Sequence, residues 1–127
     1  MRYLLDTNCL LWSIGDTSRL SRLAREIIEG DNDILFSDAS LWEIAIKNSI
    51  GKLEINGTIL DIEKECLEQD FDKLSIKSRH FEFLRNLPIY HHDPFDRLIV
   101  AQAMSENLCI ISSDSEVAKY PVDVFWK

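Results

Sequence analysis

The chain contains no long apolar run. Nothing in its 127 residues approaches the roughly 20 consecutive apolar residues needed to cross a bilayer. The opening MRYLLDTNCLLW is broken by Asp6 and Asn8, so it does not read as a signal peptide. The expectation is a cytoplasmic protein without a membrane partner. Cysteine is sparse: Cys9, Cys66 and Cys109 are odd in number, sit in apolar contexts and form no Cys-x-x-Cys spacing. Neither a disulfide framework nor a zinc site is supported. Positive charge is in deficit, with 14 Lys and Arg against 22 Asp and Glu and a net charge of −8. Such a balance argues against non-specific coating of nucleic acid, which depends on cations meeting phosphates. It does not exclude a nuclease, because carboxylates clustered in a site are neutralised by bound cations. It also suits a basic protein partner. No repeat, low-complexity tract or linker is visible, so residues 1–127 are expected to form a single domain with one core.

What is present is an alternation of patterns. Tyr3–Leu5, Ile34–Ser37, Lys73–Ile76, Leu108–Ser112 and Val122–Trp126 read as short strands. Between them, Leu20, Leu23, Ala24, Ile27 and Ile28 mark one face of a helix that Gly30 ends. Ala39–Ser49, Ile59–Gln69, Arg79–Leu87 and Pro94–Glu106 are further helices. Strands alternating with helices imply a three-layer α/β fold around a mostly parallel sheet. Ligands in such folds bind beyond the carboxyl ends of the strands, where Asp6 and Asp114 lie.

The most informative segment is DPFDRLIVAQA, Asp93 to Ala103. Asp93 before Pro94 is the favoured order for a helix start, which places Asp96 in the first turn. Three more acids, Asp6, Glu43 and Asp114, also sit where a β-type segment meets a turn or helix. Each has a local structural reading. Asp6 can cap a helix opening near Asn8, with Thr7 and Asn8 as its polar neighbours. Ser40-x-x-Glu43 fits a capping box, and Glu43 with Lys47 fits an ion pair one turn apart. The apolar neighbours of Glu43 predict a helix packed on most sides. Asp96 can complement a helix dipole, and Asp114 can cap a short last helix. Four independent caps have no reason to converge on one face of a sheet, whereas a hydrolytic metal site does. Hard cations such as Mg²⁺ or Mn²⁺ prefer carboxylate oxygens, activate water and orient a scissile phosphate.

At these residues the sequence resembles the PIN-domain nucleases and, within them, the VapC-like toxins of bacterial toxin–antitoxin pairs. LLDTNCLLW, SDASLWEIAIKNSIGKL, LPIYHHDPFDRLIVAQA and ISSD resemble the successive acidic motifs of that family, and the likeness covers nearly the whole chain. The resemblance implies a PIN-like fold with Asp6, Glu43, Asp96 and Asp114 at the metal positions. Asn8, Ser40 and Ser113 would be supporting polar residues; relatives carry a Thr or Ser near Ser112–Ser113. It further implies a Mg²⁺- or Mn²⁺-dependent endoribonuclease that leaves 5′-phosphate and 3′-hydroxyl ends, with an antitoxin as partner. Asp93 is read as a helix cap, with a supporting or second-metal role as the alternative. Lys47 and Arg97 are candidate phosphate contacts, each with an ion pair as its alternative. His91 and His92 are read as hydrogen-bonding or exposed loop residues, since a four-acid site needs no histidine. Trp12, Trp42 and Trp126 are read as core or interface, and together with the pairing usual in such relatives they suggest a homodimer. Two other readings fit the chain, a receiver-like signalling module and a catalytically silent PIN fold serving protein interaction.

Overall fold

The computed structural model describes residues 1–127. The chain runs β1 (Arg2–Leu5), α1 (Thr7–Ile14), α2 (Arg22–Glu29), β2 (Asp33–Ser37), α3 (Asp38–Ser49), α4 (Ile59–Glu68), β3 (Asp72–Leu74), α5 (Ser78–Arg85), α6 (Pro94–Glu106), β4 (Cys109–Ile111) and β5 (Val124–Phe125). Short 3-10 turns cover Thr17–Arg19 and Val117–Lys119. The five strands form one sheet in the order β3-β2-β1-β4-β5, and every pairing is parallel. Parallel neighbours need a crossover, which the helices supply. The expected three-layer α/β architecture is present, with a sheet that is wholly parallel. No helix is long and apolar enough to cross a membrane.

The three inner strands are buried on both faces, which is why YLL, ILF and CII read as unbroken apolar runs. Side chains still alternate. Tyr3, Leu5, Ile34, Phe36 and Ile111 pack on one face with Leu10, Ala24, Ile27, Ile62 and Cys66 of α1, α2 and α4. Leu4, Leu35 and Ile110 pack on the other with Leu98 to Ala101 and Ala103 of α6. Buried side chains follow one another from Leu98 to Ala103, so α6 is enclosed on all sides and its apolar run is not a one-sided stripe.

Gly30 ends α2 as expected, but not through a left-handed backbone; its φ is −82°. A Cβ there would stand 2.9 Å from the Glu26 carbonyl oxygen, so the missing side chain makes room for the turn. The capping box expected at Ser40 does not form. Ser37 caps α3 by accepting the Ala39 N–H at 2.9 Å, and Ser40 falls inside the helix. Nor is α3 packed on most sides, since Trp42 and Ile46 are 51% and 44% exposed and Ile50, at its end, is 59% exposed.

The chain passes from β1 outward to β2 and β3, then returns to lay β4 on the opposite flank of β1. Carboxyl ends of strands at such a reversal diverge and leave a crevice. Asp6 follows β1 there, and Ser112 to Asp114 follow β4.

Candidate metal centre

Asp6 is buried at 5% exposure and caps α1, its Oδ1 accepting the Cys9 N–H at 2.8 Å. The helix it opens starts at Thr7, one residue earlier than expected. Cap and site are therefore not alternatives for this residue. Burial pushes its carboxyl above the usual range and the Asp114 charge adds to that, while hydrogen bonds from Ser112 and Cys9 act against it.

Glu43 is also 5% exposed and projects from α3 toward the start of α1. Thr7 Oγ1 donates to Glu43 Oε1 at 2.6 Å and lies 3.0 Å from Ser40 Oγ. A carboxylate only accepts, so the single Thr7 proton serves Glu43, and Ser40 is left to donate to Thr7. Lys47 pairs with Glu43 Oε2 one turn on. Its ammonium pKa is raised, first by the Glu43 hydrogen bond and then by the charges of Glu43, Asp93 and Asp96.

Asp96 sits in the first turn of α6 behind its cap. Asp93 Oδ1 accepts the N–H groups of Phe95 at 2.8 Å and Asp96 at 3.1 Å, with Pro94 at the first helical position. Burial pushes the Asp96 carboxyl up to about 7, helped by the charges of Asp93, Glu43 and Asp6. Asp114 is the most open of the four acids, its side chain 35% exposed. Its Oδ1 accepts the Glu116 N–H at 2.9 Å and its own N–H donates to Ser112 Oγ at 3.0 Å. Ser112 is buried between Asp114 and Asp6 and serves both.

The structure thus brings Asp6, Glu43, Asp96 and Asp114 to one crevice, with Asp93, Ser40 and Lys47 beside them. Asn8 and Ser113, named with them from the sequence, are exposed and make no side-chain hydrogen bond to the acids. Thr7 and Ser112 stand in their places. The Arg97 guanidinium turns to the Leu87 carbonyl at 3.2 Å and pairs with no acid. His92 is exposed, but His91 enters the cluster: its Nε2 lies 2.7 Å from Asp114 Oδ2 and 3.1 Å from Asp96 Oδ2. Burial lowers the His91 pKa, yet the Asp114 hydrogen bond and the charges of Asp96, Asp114 and Asp93 leave it raised overall. The only sequence sign of His91 was its position two residues before the cap.

The PIN domain family model matches residues 3–123. The chain belongs to the PIN domain family. That family is one of nucleases, so hydrolysis of phosphodiester bonds is the class of chemistry. Three solved structures of the same fold cover almost all of this PIN domain. VapBC2 from Rickettsia felis, bound to a DNA fragment from its promoter, is 17% identical over 100% of both chains, with a TM-score of 0.70. DNA-bound VapBC from Salmonella typhimurium is 15% identical, covering 98% of this chain and 97% of that one, with a TM-score of 0.67. VapBC-5 from Mycobacterium tuberculosis is 18% identical, covering 99% and 98%, with a TM-score of 0.60. No curated protein matches significantly by sequence. The receiver-like alternative is set aside by the family match. The one acid at the end of β2, Asp38, lies 3.6 Å from Lys73 in an ion pair.

The donor set fits a hard divalent cation. It offers carboxylate oxygens from four elements, and burial, with the repulsion of its acidic neighbours added, raises the Asp96 carboxyl to about 7. A bound cation offsets that repulsion.

Proposed function

We propose that this PIN domain is a Mg²⁺- or Mn²⁺-dependent endoribonuclease, the toxin of a toxin–antitoxin pair. The observation that carries the reading is the convergence of Asp6, Glu43, Asp96 and Asp114 at the reversal point of a parallel sheet. When bound, the ion supplies a polarised water and positive charge beside the scissile phosphate. The protein's part is to hold the acids still. Asp6 is fixed by the helix it caps, Asp96 by its place in the first turn of α6, and Glu43 by Thr7 and Lys47. Asp93 serves as the cap that places Asp96. Lys47 offers a cation at the rim for a substrate phosphate. Arg97 has to leave the Leu87 carbonyl before it reaches one. Cleavage by in-line attack leaves a 5′-phosphate and a 3′-hydroxyl.

VapBC-5 is a member of a family of toxin–antitoxin systems, which supports a protein partner here. The net charge of −8 suits a basic one. A second copy is proposed as well: Trp42 and Ile46 of α3 and Ile50 just past its end recur every four residues and leave an exposed apolar stripe.

The test is incubation with single-stranded RNA in Mn²⁺ or in EDTA, with the product ends mapped. Cleavage confined to Mn²⁺, with 5′-phosphate ends, is expected. Cleavage that survives EDTA, or cyclic phosphate ends, contradicts the metal reading, and no cleavage under any ion favours the silent PIN fold. A short upstream reading frame encoding a DNA-binding N-terminus is the expected genomic companion.

A further inference from the structure

His91 lies inside the acid cluster, and its ring orientation limits what it can do there. Its Nδ1 accepts the Asp93 N–H at 3.0 Å. A ring nitrogen that accepts an N–H carries no proton of its own, so the neutral ring bears its proton on Nε2. Nε2 faces Asp114 Oδ2 at 2.7 Å and Asp96 Oδ2 at 3.1 Å. The His91, Asp96 and Asp114 ligand atoms all fall within 4.8 Å of one another, close enough to share an ion. Tautomer opposes that use of the ring, because ligation through Nε2 would place the ring proton on Nδ1, against the Asp93 N–H that Nδ1 now accepts. Becoming imidazolium would forfeit the Asp93 bond without freeing Nε2. The same arrangement recurs at His80, whose Nδ1 accepts the Lys77 N–H at 2.9 Å while Nε2 meets Glu106 Oε2 at 2.8 Å.

The loop that carries His91 is fastened independently. Tyr120, buried between it and the core, accepts the N–H groups of Tyr90 at 3.1 Å and His91 at 3.0 Å. Its hydroxyl donates to the Pro88 carbonyl at 2.9 Å. Asp114, by contrast, hangs on the loop after β4. One carboxylate oxygen is engaged by the Glu116 N–H, and His91 is the side chain that hydrogen-bonds the other.

We propose that His91 is a positioning residue of the metal site, its Nε2–H holding the Asp114 carboxylate in the cluster rather than ligating the ion. The inference rests on the metal-site reading above. Groups that orient metal ligands in this way typically change metal affinity by about 10- to 100-fold when removed.

The test measures Mn²⁺ affinity by calorimetry for the wild type, His91→Ala, His91→Asn and His91→Gln, with metal-free melting curves as the control for folding. A glutamine amide nitrogen reaches the place of Nε2; that of asparagine stops near Nδ1. His91→Ala and His91→Asn are expected to bind Mn²⁺ about 10- to 100-fold more weakly, and His91→Gln to recover most of the loss. In the metal-free wild type, ¹⁵N spectra are expected to show a bare Nδ1 and a protonated Nε2, a result that needs no variant to fold. Unchanged affinity in His91→Ala, a protonated Nδ1, or a directly coordinated nitrogen in the electron paramagnetic resonance of the Mn²⁺-loaded wild type overturns the proposal. Wild type that binds no Mn²⁺ overturns it together with the metal-site reading. Wild type that binds, with His91→Ala equal to it, overturns this inference alone.

Discussion

Asp96 is half protonated near neutral pH in the metal-free protein, because burial and three other carboxylates oppose its charge. Its folded pKa of about 7 lies above the ordinary 3.8, so the folded chain binds this proton more tightly than the unfolded one. The contribution to stability is therefore present at low pH and lost as pH rises from near 4 through about 7. Asp96→Asn removes the charge and keeps the shape. Its metal-free melting temperature should match the wild type near pH 4 and exceed it at pH 8. Each pKa unit relieved is about 1.4 kcal/mol, or roughly 4 °C. A melting difference that is flat across that range counts against the crowding of acids. At this scale the sequence is legible in its acids and silent on their hydroxyl partners. Thr7 and Asn8, or Ser112 and Ser113, are equivalent neighbours on paper. Only the backbone direction at the strand end turns Thr7 and Ser112 inward and leaves the others in water.

Two helices carry most of the placement. α6 begins on Asp93, whose carboxylate accepts two backbone N–H groups. Asp93→Ala should cost about 1 kcal/mol in urea unfolding, and Asp93→Asn should stay near the wild type, since Asn caps almost as well. An Asp93→Asn loss as large as that of alanine would show that the charge, not the cap, matters. At its far end α6 is tied to α5 through Glu106, which bonds Arg79 and the buried His80. Hydrogen bonds from Arg79 and His80 hold the Glu106 carboxyl down at about 2, against 4.5 ordinarily. A depressed acid stabilises above its unfolded pKa and loses that stabilisation as pH falls through the folded one. Glu106→Gln should therefore lower the urea midpoint at pH 7, and the two proteins should converge as pH falls from about 4.5 toward 2. Parallel curves at all pH values would contradict this. Helix α6 was readable from its cap, its proline and its apolar run. The start of α3 was not: Ser37 and Ser40 are equally good caps on paper. The structure chooses Ser37, whose hydroxyl also bonds the buried Gln102 of α6.

For the molecule as a whole, the apolar runs YLL, ILF and CII announced a parallel sheet covered on both faces, and the chain follows that reading. Edge strands were overestimated in length. β3 and β5 pair on one side only, so little of each is held in register. The surface was less legible, because α3 shows water an apolar stripe that the sequence suggested was packed. Sedimentation equilibrium at roughly tens of micromolar protein should show a dimer, and Ile46→Lys should shift it to monomer. A wild-type monomer at that concentration rules out the pairing. The most direct test of the metal centre compares the wild type with Asp6→Asn, in RNA cleavage with Mn²⁺ and in melting temperature with and without Mn²⁺. Asn preserves the α1 cap and removes one charge from the cluster. The wild type should cleave and be stabilised by Mn²⁺; Asp6→Asn should fold, fail to cleave and gain little from the ion. An Asp6→Asn protein that still cleaves RNA, or gains as much from Mn²⁺ as the wild type, contradicts a metal site built on these acids.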